Sequence, residues 1–242
     1  MNDAAVTYEG RDLEAMSFAR NYHRWILRIF TPYLGQRLVE VGAGAGSFSE
    51  LLLERPFDSL SLVEPSREMF GLLTRHIETF PNAARIKPYN AVFRQVAETI
   101  RAEQEPDSVI YINVLEHIAD DEGELRAIRE ALAPQGRVFI FVPAMRWLYG
   151  SFDRLIQHQR RYPKNELERK CEAAGFRVRL SRYFDLAGVL PWWVKYCLLK
   201  SEAMEPGAVA FYDRLVVPLA KVAEGILPPP LGKNIILVAE KA

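Results

Sequence analysis

Cysteine is almost missing from this sequence: Cys171 and Cys197 are the two thiols in 242 residues, and neither lies in a C-x-x-C arrangement. That scarcity argues against a disulfide framework or a structural zinc site, so no metal is expected and a reducing compartment fits. An excess of one charge is missing too, because Lys+Arg and Asp+Glu both number 31. No basic field covers the chain, and nucleic acid is not an expected partner. No apolar run reaches the ~20 residues needed to span a bilayer, and the opening stretch MNDAAVTYEGRDLEAM has no basic segment followed by an apolar core. The cytoplasm is the expected address. Internal repeats and low-complexity tracts are absent as well, which removes solenoids and long linkers. With 49% hydrophobic residues, the chain can bury one sizeable core and is expected to be a single domain, 1–242.

What is present is alternation. The stretch from Leu13 to Tyr33 reads as an aromatic-rich amphipathic helix. It leads into the strand RLVEVG, a helix through SFSELLLE, the strand SLSLVEP and a helix capped by Ser66. ARIKPYN, DSVIYINVL and RVFIFVP continue the strands, separated by VFRQVAETIRAE and DEGELRAIREALAPQG. The uninterrupted apolar run RVFIFVP suits a strand covered on both faces. RVRLSRYF and NIILVAEK close the series as an expected antiparallel pair. The fold class is therefore α/β: a Rossmann-like, doubly wound, mostly parallel seven-stranded sheet with an antiparallel terminal strand and helical cap insertions. Residues 1–35 are expected to form a helical lid and 36–142 the ligand-binding core, with 143–162 and 185–233 as caps over the crevice.

Between the first strand and its helix lie Gly42, Ala43, Gly44 and Gly46. Missing Cβ atoms at such a turn permit unusual backbone angles and let a ligand approach main-chain N–H groups, which points to a nucleotide-like ligand. Glu64 ends the second strand, 24 residues after Glu40 (64 − 40), where a carboxylate can accept both hydroxyl protons of a ribose; a plain surface acid is the alternative. The pattern Glu40-x-Gly42-x-Gly44-x-Gly46 resembles the first motif of the class I S-adenosylmethionine-dependent methyltransferases. A dinucleotide fingerprint would place its third glycine at Ser47. The resemblance extends over most of the chain through YNAV, NVLEHIADD and the closing strand pair. LEAMSFARNYHRW, NVLEHI, HQRRY and AAGF look like a bacterial small-molecule branch, akin to methyltransferase types 11 and 12.

The resemblance implies S-adenosyl-L-methionine as cofactor and S-adenosyl-L-homocysteine as product. It places Glu40 and the Gly42–Gly46 loop on the methionine end, Glu64 with Pro65 at the ribose, Asn90 and Ala91 at the adenine edge, and Asn113 on the methionine side. Where the family commonly has an acid, this chain has Asn90, whose carbonyl can take the adenine amine without charge assistance. Transfer from a sulfonium needs the acceptor held in line with water excluded, and a base adds roughly 10²–10⁴-fold. Glu116 and His117, directly after the fourth strand, are base candidates, with a purely structural role as the alternative. His158 in HQRRY is a third candidate base. Arg160, Arg161 and Tyr162, with Tyr149 upstream, form the candidate acceptor side; arginines spent on acids such as Asp153 or Glu166 are the competing reading. Tyr22 and Trp25 are either a lid over the ligand or helix packing. The aromatic stretch AGVLPWWVKYCLLK and the segment AFYDRLVVPLAKVAEGILPPPLG either pack on the sheet, cover an apolar or lipid-linked acceptor, or rest on a membrane. The reading is a methyltransferase acting on O or N of a small-molecule or lipid-linked acceptor, as monomer or homodimer. Its rivals are an NAD(P)-dependent oxidoreductase, hinted at by Tyr196-x-x-x-Lys200, and a catalytically silent cofactor-binding regulator.

Overall fold

The computed structural model describes residues 19–80 and 82–242. Its frame is one seven-stranded sheet: β1 (Arg37–Val41), β2 (Ser59–Val63), β3 (Ile86–Tyr89), β4 (Ser108–Ile112), β5 (Arg137–Pro143), β6 (Phe176–Phe184) and β7 (Asn234–Lys241), in spatial order 3-2-1-4-5-7-6. The first five pair in parallel, while β7 inserts antiparallel between β5 and β6. The expected mostly parallel sheet with an antiparallel end is thus observed. Its strand order reverses between β1 and β4, and the carboxyl ends of these two strands open the crevice where such sheets hold ligands.

Both faces of the sheet are covered, which is why the central strands are apolar without interruption. In β5, Val138, Ile140 and Val142 join one core with Phe93, Ala97 and Ile100 of α4 (Phe93–Gln104), Leu125 and Ile128 of α5 (Asp121–Ala131), and Leu167 of α7 (Lys164–Ala173). Phe139 and Phe141 face the other core. There they meet Tyr22, Trp25, Ile26 and Phe30 of α1 (Arg20–Phe30) and Leu73 and Ile77 of α3 (Arg67–Ile77). The apolar spacing of α1 places its aromatic stripe on the sheet. The part of the expected first helix before residue 19 lies outside the described residues, and Thr31–Tyr33 tightens into a 3₁₀ turn at Pro32. Ser66 caps α3 as expected, accepting from the Met69 N–H at 3.4 Å.

The helix after the glycines is shorter than the sequence pattern indicates: α2 is Ser49–Leu52 only. Around the two cap intervals lie α6 (Ser151–Leu155), α8 (Val189–Trp192), α9 (Pro206–Phe211) and α10 (Val217–Ile226). The last two are joined through a wide turn at Tyr212–Val216, just before Pro218. Proline has no N–H and crowds the carbonyl four residues back, so a locally widened helix accommodates it. Among the described residues, no helix is long and apolar enough to cross a membrane.

Candidate active site

The glycine loop leaves β1 and turns back toward β2. Gly42 and Ala43 both donate to the Val63 carbonyl, at 2.8 and 3.2 Å, which holds the loop across the ends of the two strands. Gly42, Gly44 and Gly46 have φ of +71°, +56° and +92°, a region that L side chains rarely adopt. At Gly42 a Cβ would also lie 2.3 Å from Val114 Cγ2, so the β1 and β4 loops touch only because this residue has no side chain. These glycines therefore serve both conformation and close approach.

Three side chains pin the loop from outside. Glu64 is buried and its two carboxylate oxygens accept from the Gly44 and Ser66 N–H groups, each at 2.8 Å. Burial raises its carboxyl above the usual range, against the pull of these two donors. Glu40, also buried, accepts from the Ser49 hydroxyl at 2.6 Å, so the strand acid is tied to the first turn of α2. Burial, with a further contribution from the Glu64 charge and opposed by Ser49, pushes Glu40 up to about 8. The His76 ring contacts the Ala45 carbonyl through Nδ1 at 2.9 Å. His76 is not signalled by the sequence, because it reaches the loop from α3.

Asn90 Nδ2 donates to the Glu64 and Pro65 carbonyls at 2.9 and 3.2 Å. Two main-chain acceptors fix the orientation of the amide, leaving Oδ1 as its available acceptor. Asn90 is solvent-exposed and Ala91 and Pro65 are half-buried beside it. Asn113 sits at the end of β4 with φ +52°, its N–H donating to the Phe141 carbonyl at 2.8 Å. Glu40, the loop, Glu64, Asn90 and Asn113 thus belong to the consecutive ends of β1, β2, β3 and β4 at the strand-order reversal.

A second constellation follows β4. Glu116 and His117 form a 3₁₀ turn with Leu115, and the chain segment around His158 packs on it. His158 Nδ1 lies 2.8 Å from Asp153 Oδ1, its Nε2 lies 3.7 Å from Glu116 Oε1, and its ring meets that of His117 edge-on at 4.6 Å. Glu116 is fully buried and burial raises it to about 7, the neighbouring His158 opposing. Burial, with His158 adding, drives His117 down to about 3, so its ring is neutral at pH 7. Tyr149 donates its hydroxyl to the His158 carbonyl at 2.7 Å, and Gln159 N–H donates to the Glu116 carbonyl at 2.8 Å. The three base candidates therefore do come together.

Other candidates are placed differently from the sequence expectation. Arg161 is 2% exposed, donates through Nε to Asp153 at 2.8 Å and stacks its guanidinium 4.7 Å over Trp192. Arg160 pairs with Asp121 at 2.7 Å and donates to the Ala119 carbonyl. Tyr162 is fully buried and donates to Asp121 at 2.8 Å. Arg161, Arg160 and Tyr162 thus bond within the cap: the two arginines pair with Asp153 and Asp121 and donate to the Ala144 and Ala119 carbonyls, the arrangement of the competing reading. Glu166 pairs with Arg146 instead. Trp25 lies 3.9 Å from Phe184 in the core, so packing replaces the lid reading. Tyr22 is buried too, its hydroxyl 2.9 Å from Asp185 and 3.1 Å from Asn234.

Tyr22 nevertheless borders a cavity of about 170 Å³ shared with Trp192, Tyr196, Met204, Tyr212 and Lys233. Lys233 is anchored to Asp185 at 3.0 Å and lies over the Tyr22, Trp192 and Tyr212 rings at 5.1–5.9 Å. Neither Lys233 nor Asp185 carries a sequence signal, since each becomes special only through the neighbours that the cap folding supplies. Tyr196, which prompted the oxidoreductase alternative, donates to the Ala203 carbonyl within the cap. A wider depression of about 520 Å³, edged by Arg137, Arg177, Arg179 and Glu240, borders the start of β5 and the end of β7, away from the glycine loop. Within it Glu240 pairs with both Arg137 and Arg179.

Comparison with known proteins agrees with the glycine-loop geometry. Over 119 residues the chain is 29% identical to the ubiquinone biosynthesis O-methyltransferase of Aeromonas salmonicida (strain A449), covering 48% of this chain and 47% of that protein. The chain thus spans about half the length of the curated relatives it matches. Among solved structures, an S-adenosylmethionine-dependent methyltransferase from Archaeoglobus fulgidus aligns with a TM-score of 0.59 at 18% identity, over 95% of this chain and 99% of that one. The N-methyltransferase NodS from Bradyrhizobium japonicum WM9, solved with S-adenosyl-L-homocysteine, aligns with a TM-score of 0.58 at 12% identity, over 93% and 87%. A family profile described as a methyltransferase domain matches residues 13–181, and with the glycine loop and paired acids at the strand-order reversal it establishes that the chain belongs to the S-adenosylmethionine-dependent methyltransferase domain family.

Proposed function

We propose that the protein transfers the methyl group of S-adenosyl-L-methionine to an oxygen, or in second place a nitrogen, of a small-molecule or lipid-linked acceptor, releasing S-adenosyl-L-homocysteine. The observation that carries this reading is the left-handed glycine loop whose Gly44 N–H is held by Glu64 beside the buried Glu40. The loop and Glu40 take the methionine end, Glu64 the ribose, and Asn90 Oδ1 the adenine amine. Each Glu64 oxygen has a second lone pair free for a ribose hydroxyl beyond the N–H it already accepts. Oxygen is favoured over nitrogen because the curated relatives are named O-methyltransferases.

The reaction asks for in-line placement of the acceptor in a dry site. Glu116 and His117 follow β4 just after Asn113, with His158 packed against them from the segment after β5, on the side of the crevice proposed for the sulfonium. The two helical insertions serve as the acceptor cover, and the aromatic cavity beside Trp192 suits an apolar acceptor body. Leu215, Leu219, Val222 and Ile226 recur at spacings of four, three and four along one helical stripe, with Leu219 74% and Ile226 81% exposed. Such an uncovered stripe supports an acceptor reached at a lipid surface by a cytoplasmic protein, or a homodimer contact.

Calorimetric titration with S-adenosyl-L-methionine, S-adenosyl-L-homocysteine and NAD in parallel tests the reading. Saturable binding of the first two and not the third is expected, followed by turnover in a screen of hydroxyl and amine acceptors, free and in vesicles. Binding of NAD alone overturns the reading, and cofactor binding without turnover of any acceptor supports the silent regulator instead.

A further inference from the structure

The buried constellation after β4 has an unsatisfied electrostatic arrangement. Glu116 is fully buried, and among the described residues neither of its carboxylate oxygens has a hydrogen-bond partner. A buried carboxylate left in this way is costly unless a proton or cation meets it. Opposite it, His158 Nδ1 is 2.8 Å from Asp153 Oδ1, a carboxylate oxygen that also accepts from Arg161 Nε at 2.8 Å. Asp153 is thereby an acceptor, so Nδ1 carries a hydrogen and Nε2 is the ring atom turned toward Glu116. Nε2 faces Glu116 Oε1 at 3.7 Å, too far for a hydrogen bond. His117 supplies a third donor atom to the same place: one ligand atom from each of Glu116, His117 and His158 lies within 4.8 Å of the others.

We propose that Glu116, His117 and His158 form a binding site for a borderline first-row divalent cation, Zn²⁺ by the chemistry of its donors. Two imidazole nitrogens and one carboxylate oxygen, with a position left open, are the donor set of catalytic zinc. Tetrahedral bonds near 2.0–2.1 Å put donors about 3.3 Å apart, close to the 3.7 Å between His158 and Glu116. The Asp153–His158 hydrogen bond is the outer-shell support that orients a metal-bound imidazole, and the Gly150 N–H donating to Asp153 at 2.8 Å holds that support in turn. The cluster stands on the chain segment that leaves β4 through Asn113, beside the proposed methyl donor, so the open position would take the acceptor oxygen; this part rests on the methyl-transfer reading above. Binding of a hydroxyl there lowers its pKa and releases its proton to water. The oxygen then forms its bond to the methyl carbon with one of its lone pairs, the carbon–sulfur bond breaks with its pair going to sulfur, and the sulfonium charge is cancelled.

The test is titration of the tag-free, chelator-treated protein with Co²⁺, followed by its visible d–d absorption, and with Zn²⁺ in competition against a chromophoric chelator. One equivalent with a four- or five-coordinate cobalt spectrum is expected in the wild type. Glu116→Gln and His158→Ala are each expected to weaken binding by at least about 10–100-fold, the loss known for outer-shell partners alone. His117→Ala, on the half-buried ring, serves if either buried variant fails to fold by circular dichroism. Absence of stoichiometric binding at neutral pH, or binding unaltered in the variants, overturns the proposal and leaves a proton as the counter-charge of Glu116. The two readings fail separately. Cofactor binding without cation binding removes only the metal site, whereas cation binding without cofactor binding removes the methyl-transfer reading and leaves the site standing.

Discussion

Replacing Glu64 by glutamine isolates the role of one carboxylate in holding the loop. The substitution keeps the shape of the side chain and removes one acceptor. In the structure both oxygens are used, one by Gly44 N–H and one by Ser66 N–H, each at 2.8 Å. A glutamine amide has one oxygen, so its NH₂ must face one of these two donors whichever way it is turned. Losing one hydrogen bond to a charged group costs about 1.5–3 kcal/mol. Burial disfavours the charge of Glu64, and its removal returns part of that cost. A net destabilisation of about 1–3 kcal/mol is expected from urea unfolding at neutral pH. Affinity for S-adenosyl-L-methionine and S-adenosyl-L-homocysteine is expected to fall together by about 10–150-fold, the equivalent of one charged hydrogen bond to the ribose. Stability unchanged to about 0.5 kcal/mol, the noise level of a neutral surface change, would show that the carboxylate does not hold the loop. Unchanged calorimetric affinity would remove Glu64 from the ribose.

Gly42→Ala places a Cβ at φ +71° and 2.3 Å from Val114 Cγ2. Left-handed strain of about 1–2 kcal/mol and overpacking of about 1–3 kcal/mol should add, while Val114→Ala in the same chain recovers only the overpacking part; equal stabilities of the single and double variants by urea unfolding would refute the contact. Glu40, held near 8 in the folded protein, keeps its proton at pH 7 while the unfolded chain, with its ordinary value of 4.5, has lost it. Stability from this group is therefore present below about pH 4.5 and lost as pH rises to about 8, at up to about 1.4 kcal/mol per pH unit. Glu40→Gln should flatten the fall between about pH 4.5 and 8 relative to the wild type, with which it shares every other titrating group. Equal pH slopes for the two proteins in urea unfolding would place the Glu40 carboxylate in a solvated setting.

Local chemistry made much of this protein readable. Alternation of apolar strands and amphipathic helices dictated a doubly wound sheet, because a strand apolar on both faces has to be covered on both. The Gly42–Gly46 spacing marked a backbone-approach loop, since only glycine tolerates those angles, and the acid ending β2 marked its partner. These signals are short-range, carried within one strand–turn–helix unit or its neighbour. Pairing across the cap was decided by tertiary structure alone. Arg161 and Arg160 could as well have met a ligand as Asp153 and Asp121, and Trp25 could have faced solvent instead of Phe184. The same holds for the convergence of Glu116 and His117 with His158, some forty residues further along, and for Lys233 against Asp185. Composition reads thiolates and motif spacing, whereas the meeting of one carboxylate and two imidazoles, the proposed cation site, depends on the chain after β5 folding back over the end of β4.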